Sequence, residues 1–449
     1  MIDLTRARAL AREAISFAAD AGAEQSEALV YASDHALTRF AGNRIHQNMA
    51  SGNTDVSVRA VIGTRVGVAS TNRVDPEGLE ACCRAATEAA RLAPEDPDFP
   101  GLPTPRQAVQ DDRVSPSTLA FDPGVRAASA GAMIAPSADA GGVAAGGVAC
   151  DHSLTAIANS LGTDVAMANT TVRATILATG AAGGTGWASF SARDVAGLDA
   201  AALGALAADT ARRSADPVAL DPGAYTVVLA PEAVADIVEF LGWYGSSMKT
   251  VEEGRSFMSG KLGQRVTSPA ITLSDDALRA DATGLTFDFE GQPKTRVALI
   301  DAGVAASPVT DSYWAAKTGR PNTGHALPAP NAQGPLPLDL VLDGGDATPE
   351  SLIASVARGV YVTRFHYVNI EDPTRVTLTG MTRDGTFMIE NGQIAAPVKG
   401  LRFTQPILEA LNTTLGVSAM RKLLAGEEGG SALVPYLLLE RFTFTGRTE

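Results

Sequence analysis

The sequence predicts an α+β fold: an N-terminal α/β domain of short strands with flanking helices, a middle β segment, and a β-rich C-terminal domain. Three observations carry this. Helical and strand periodicities occur in separate runs instead of alternating strictly. Beyond residue 217 alternating segments dominate and a single helix interrupts them late in the chain. A proline-rich passage and an Asp216-Pro217 break divide the 449 residues into three parts, expected at 1–110, 111–216 and 217–449. That length suits two or three cores at roughly 150 residues each.

The first helix is predicted from about Thr5 to Ala21, its apolar residues at helical spacing, with Gly22 as the stop. SEALVYASD alternates as a strand does, and LTRFAGNRIHQ turns through Gly42-Asn43. DVSVRAVIG and TRVGVAST read as two short strands joined at Gly63-Thr64. Asp75 caps a helix that opens at Pro76 and runs to Leu92. Prolines 94, 97, 100, 103, 105, 116 and 123 then mark a surface linker or extended crossover, and Val125–Val148, rich in Ala and Gly, resembles low complexity in isolation.

SLTAIANS, TDVAMANTTVRATILATG and GWASFSARD alternate as strands, turning at Leu161-Gly162-Thr163, and a helix from about Asp199 to Ser214 closes the middle section. After Pro217 a strand, AYTVVLAP, runs straight into a helix, PEAVADIVEFLGWYG. TRVALIDAG, LDLVLDGG, RGVYVTRFHYV, RVTLTG, GTFMIENGQIAAPV and YLLLERFTFTG are the remaining strands, with a helix near Gln405 to Leu415.

Composition excludes several functions. Thirty-six Lys+Arg against 50 Asp+Glu leave a net charge of −14, the wrong sign for an extended phosphate-binding surface. No stretch approaches 18 apolar residues, and Asp3, Arg6, Arg8, Arg12 and Glu13 stand where a signal peptide needs an apolar core. Three cysteines cannot form a disulfide framework. Cys82-Cys83 on a helix read as buried reduced thiols of a cytoplasmic protein.

The five histidines are His35, His46, His152, His325 and His366, and no two fall within five residues, so no helix offers a paired His face to a metal. Ser246-Ser247-Met248-Lys249 matches S-x-x-K but lacks that motif's companions and reads as a helix end. Gly141-Gly142 and the Gly183–Gly186 run read as turns rather than phosphate loops. Trp243-Tyr244 and Trp314 read as core or interface anchors. Glu232 sits where a strand gives way to a helix, a position that faces a cleft in many enzymes. It also suits the positive end of the helix dipole with no catalysis implied.

RFAGNRIHQNMASGNTDVSVRAVIGTRVGVAST, DFEGQPKTRVALIDAGV, TGRPNTGHA and RGVYVTR…FMIENGQIAAPVKGLRFTQPILEAL resemble the TldD/PmbA family, also labelled modulator of DNA gyrase, over about residues 25 to 445. The resemblance implies two branches: TldD, a zinc metalloprotease, and PmbA or TldE, its partner in a heterodimer that degrades or trims peptides. The TldD branch carries H-E-x-x-x-H at the start of a helix and a Cys near the C-terminus. Here Pro231, Glu232 and Asp236 stand at the motif positions and Ala425, before GEEGGS, at that of the Cys. All three ligands are replaced, and Pro and Ala offer no donor atom. Pro231 and Asp236 then read as helix-start residues.

The resemblance thus implies the PmbA/TldE branch: a non-catalytic subunit with no cofactor of its own, zinc being expected in a TldD-like partner, and unfolded peptide as substrate, with no nucleic acid or membrane bound. A rim of Thr323, Gly324 and His325, with Arg364 on a strand, is expected to touch peptide or partner, and peptide to bind as an added strand. A stand-alone divergent peptidase and a peptide-binding scaffold without a protease partner are the alternatives.

Overall fold

A computed structural model describes residues 2–109, 112–426 and 430–447. Helix α1 (Leu4–Asp20) starts where the Asp3 carboxylate accepts the Arg6 N–H, and it buries Ala7, Leu10, Ala11, Ala14 and Ala18. It ends before Gly22, whose φ of 93° a side chain would resist. Strands β1 (Gln25–Ala41) and β2 (Arg44–Ile62) follow, then β3 (Arg65–Thr71) and α2 (Pro76–Leu92), capped by Asp75 as expected. Gly42 and Asn43 both take positive φ, 59° and 62°, with Ala41 opposite Arg44, so the expected turn is a two-residue hairpin loop.

The strands are not short, however: β1 has 17 residues and β2 has 19. Residues 44–55 of β2 are largely exposed on both faces, so no apolar alternation marks them, and the ladder to β1 keeps them extended, with Arg126 of the following part donating to Asn48.

The proline-rich passage is irregular apart from α3 (Pro116–Leu119). The Ala/Gly-rich stretch is ordered: α4 (Pro123–Asp139), then the start of β4 (Val143–Asn159). Small residues serve close packing here. A Cβ on Gly146 would lie 2.1 Å from the Thr175 carbonyl oxygen, and one on Gly204 would lie 2.3 Å from that of Met133. Strands β5 (Asp164–Thr179) and β6 (Thr185–Ala192) and helix α5 (Ala200–Arg213) complete this part.

All six strands form one antiparallel sheet in the order β3-β2-β1-β4-β5-β6, which runs across the 110/111 division. Val30, Val58 and Ala156 pack in the core with α1 and α2, and Val148, Ala174 and Ile176 in that with α4 and α5. These positions are even-numbered on β1, β2, β4 and β5, and on β3 the register places odd-numbered Gly67 and Ala69 on the same side, so one face carries all four helices. Odd-numbered Ile157, Val165 and Met167 pack against Phe287 of the C-terminal part.

That part begins with β7 (Gly223–Leu229) and α6 (Pro231–Gly245), followed by α7 (Met248–Glu252), β8 (Leu273–Asp275), β9 (Val297–Asp301), β10 (Val304–Ala305), α8 (Ser312–Thr318), β11 (Asp339–Leu342) and α9 (Pro349–Ala354). Then come β12 (Arg358–Asp372), β13 (Thr377–Glu390), β14 (Gln393–Pro397), β15 (Leu401–Pro406), α10 (Ile407–Leu411), β16 (Thr414–Ala425) and β17 (Ser431–Arg447). The helix expected near Gln405 to Leu415 shrinks to α10, because Gln405 and Pro406 pair with Leu378 and Thr377 and Thr414 already pairs with Leu439. Strand β17 pairs with β15 on one side and β7 on the other, so β17-β15-β13-β12-β7 closes into a ring. Phe365, Phe403, Phe442 and Phe444 fill it, with Phe365 and Phe403 centroids 4.6 Å apart. Ala233, Val234, Ile237, Val238 and Leu241 bury the inner face of α6 in the same core. Among the described residues no helix is long and apolar enough to cross a membrane.

Candidate functional site

Strand β7 is wholly buried by its last three residues, and the chain must leave the sheet where β12 and β17 flank it. Ala230 is extended, Pro231 occupies the first helical position with φ already suited to it, and Glu232 follows in the first turn of α6. No side chain caps this end. Instead the Glu232 carboxylate accepts a hydrogen bond from Lys422 Nζ of β16 at 2.6 Å, the two side chains being 17% and 31% exposed.

Asp236 lies one turn on and Glu239 one turn further, so three acidic residues share a helix face. Pro231 is a helix-start residue as expected. Asp236 is not: it stands in the second turn, where the N-terminal dipole has faded. Its chemistry is that of the cleft it lines.

The cleft encloses about 320 Å³. One wall is the acidic face of α6. The second is the odd-numbered face of β5 and β6, presenting Arg173 and Trp187, and the third is β12 with Arg364, His366 and Tyr367, closed at the end of β16 by Ala425. Arg364 reaches Asp384 with Nε at 3.5 Å from Oδ2 and lays its guanidinium 4.7 Å from the Trp187 ring centre. Burial lowers its pKa, an effect opposed by Asp384, Asp236 and Glu232. His366 is pushed down by burial and then by Arg383 and Arg364, so it is neutral at pH 7, and its Nδ1 lies 3.4 Å from the Arg364 guanidinium.

Glu232, Asp236, Ala425 and Arg364 thus meet in one cleft. Thr323, Gly324 and His325 do not join it, and they form no open rim. His325 is 1% exposed, its Nε2 2.9 Å from Asp275 Oδ1 and its Nδ1 3.0 Å from Thr323 Oγ1. Burial favours the neutral form of Asp275, but His325 and Lys294 outweigh it and hold the carboxyl well below its usual range. Gly324 takes φ 74°, and a Cβ there would lie 2.3 Å from the Pro293 carbonyl oxygen, so the loop is packed inward.

Sequence reasoning missed Glu239, His366, Arg173, Trp187 and Lys422. Glu239 was legible, three residues beyond Asp236 on the same face; Arg173 and Trp187 come from another sheet, and no local pattern announces them. The cysteines are buried, and burial pushes Cys83 up to about 12.

A zinc site needs three or four converging donors. Among the described residues no three His, Cys, Asp or Glu side chains converge in that way. Pro231 and Ala425 have no side-chain donor, and the Lys422 ammonium beside Glu232 repels a second cation. The described side chains do not fit a zinc ion; residues 427–429, which follow Ala425 in the GEEGGS segment, lie outside the described residues.

Comparison with known proteins gives three matches along the chain, to the PmbA/TldA metallopeptidase domain 1 over residues 26–90, central domain over 117–215 and C-terminal domain over 222–446. A metalloprotease TldD homolog of Haemophilus influenzae is 29% identical over 243 residues, 49% of this chain and 50% of that one. A metalloprotease of Methanothermobacter thermautotrophicus is 26% identical over 210 residues, 46% of each. The chain thus spans about half the length of these relatives. The crystal structure of TldE from Thermococcus kodakarensis matches in fold with a TM-score of 0.86 at 20% identity, over 97% of this chain and 100% of that one.

Proposed function

The chain belongs to the PmbA/TldD metallopeptidase family, and from that premise we propose that it is the non-catalytic, TldE/PmbA-like subunit of a two-chain zinc metalloprotease that degrades or trims unfolded peptides in the cytoplasm. One observation carries the reading: the Lys422 ammonium holds Glu232, 2.6 Å away, at the position where the family's proteases keep a general base. A general base in a zinc peptidase works on metal-bound water. Here the carboxylate is neutralised by a fixed side-chain cation, and the flanking positions hold Pro231, Asp236 and Ala425.

In this reading zinc and its activated water belong to a TldD-like partner, and this chain holds none. Its own residues shape a chamber wall. The acidic face of α6, Arg364 braced on Trp187, and neutral His366 present polar groups to a peptide without reacting with it.

The test is co-expression with the TldD-like chain of the same organism, followed by capture on one tagged subunit and metal analysis of each chain. A one-to-one complex carrying zinc only on the partner is expected. Absence of a complex refutes the subunit assignment, and stoichiometric zinc in this chain alone refutes its non-catalytic role. Peptide hydrolysis by this chain alone in the presence of chelator establishes the stand-alone peptidase instead.

A further inference from the structure

We propose that the cleft beside α6 reads a carboxylate: Arg173 receives the carboxylate of an extended peptide that adds as a strand to the free edge of β12. The inference rests on the peptide-handling role above and specifies which peptides the chain selects.

The backbone supplies the seat. Strand β12 is paired to β13 along its length, whereas β7 covers its other edge only from Val360 to Val362. Beyond Val362 the chain of β7 has already turned into α6, so among the described residues the edge from Arg364 to Val368 has no strand partner, and it borders the cleft. Unpaired N–H and C=O groups along a cleft recruit an extended chain. Tyr367 marks the same place: its φ is 55°, the ladder slips between His366 and Asn369, and the ring is 75% exposed. A non-glycine residue held in the left-handed region costs on the order of 1 kcal/mol, and here it turns an aromatic ring outward at the cleft mouth.

The opposite wall supplies the charge. Of the two arginines lining the cleft, Arg364 is engaged with Asp384 and Trp187. Arg173, exposed on the cleft-facing side of β5, has no carboxylate within 4 Å among the described residues. A planar fork of N–H donors lining the same cleft as the β12 edge matches a carboxylate, carried either on an Asp or Glu side chain or at the peptide's C-terminus. Trp187, two strand positions from Ser189 on neighbouring β6, lies on the same wall and reports occupancy.

The experiment titrates the purified full-length chain with a short fluorescein-labelled peptide of Ala, Ser and Thr bearing one Glu, following anisotropy and Trp187 emission. Two companion peptides separate the sources, one with Gln for Glu and one with an amidated C-terminus. Removing the recognised carboxylate is expected to weaken binding about fivefold to tenfold, and R173Q to abolish that discrimination while still binding the neutral peptide. N-methylation of alternate peptide amides is expected to abolish binding in one register and spare it in the other. Equal affinity for all three peptides, or discrimination that survives R173Q, overturns the carboxylate assignment; indifference to N-methylation in both registers overturns the seat on β12. Partner capture is a separate measurement, so a chain that captures its partner yet fails these titrations refutes the cleft proposal alone.

Discussion

Glu27 on β1 and Arg59 on β2 meet Glu290 of the C-terminal part where the six-stranded sheet docks. Arg59 reaches Glu27 at 2.9 Å and Glu290 at 3.2 Å, the three side chains being 12%, 5% and 8% exposed. Two carboxylates share one guanidinium. Burial therefore wins at Glu27, against Arg59 and with Glu290 adding to it, and its pKa rises from the ordinary 4.5 to about 7. Arg59 stays charged, since Glu27 and Glu290 outweigh its desolvation.

A carboxyl whose pKa is raised in the folded state binds its proton more tightly folded than unfolded. Its contribution to stability is full below pH 4.5 and is lost as pH rises through about 7. At about 1.4 kcal/mol per pH unit between the two values, that loss reaches about 3 kcal/mol. The substitution Glu27→Gln keeps the shape and one acceptor oxygen for Arg59 but removes the titration. Urea unfolding followed by tryptophan fluorescence, at intervals from pH 4.5 to 8, is expected to show wild type losing about 3 kcal/mol relative to E27Q over that range, most of it below pH 7. Stability curves of the two proteins that run parallel across the range refute the reasoning.

Three further outcomes are expected. Lys422→Met leaves Glu232 without its cation and costs about 1–3 kcal/mol, and adding Glu232→Gln recovers most of it, which a double-mutant cycle in urea measures. His325→Ala unpairs the wholly buried Asp275 and costs about 3–5 kcal/mol in the same assay, or the chain fails to accumulate as folded protein. Phe442→Ala opens a cavity between Phe365, Phe403 and Phe444 inside the strand ring and costs about 3–5 kcal/mol, read as a lower unfolding midpoint in urea with little change in slope.

Elements whose signals are local were legible. Asp75-Pro76 and Gly42-Asn43 each carry a cap or a turn in two adjacent residues, and the strand-to-helix step at Pro231 follows from a buried strand meeting a proline suited to a first helical turn. The length of the hairpin is not legible in the sequence because the polar run from Arg44 to Asp55 has no buried face to alternate with. The Ala/Gly-rich stretch looked structureless because its small side chains are selected by close approach to Thr175 and α5, partners distant in the chain. The helix near Gln405 is shorter than its local signal implies because β15 and β16 claim its ends through ladders that no local window contains.

The site divides in the same way. By itself the sequence determined that Pro231 and Ala425 carry no side-chain donor atom in any conformation, and that Glu232 opens a helix. Only the tertiary structure decided that Lys422 neutralises Glu232, that His325 is sealed against Asp275 rather than offered at a rim, and that Arg173 and Trp187 face α6 across a cleft. The reason is physical. Side-chain chemistry belongs to each residue, whereas charge pairing, burial and strand-edge exposure are properties of what another part of the chain brings within a few ångströms.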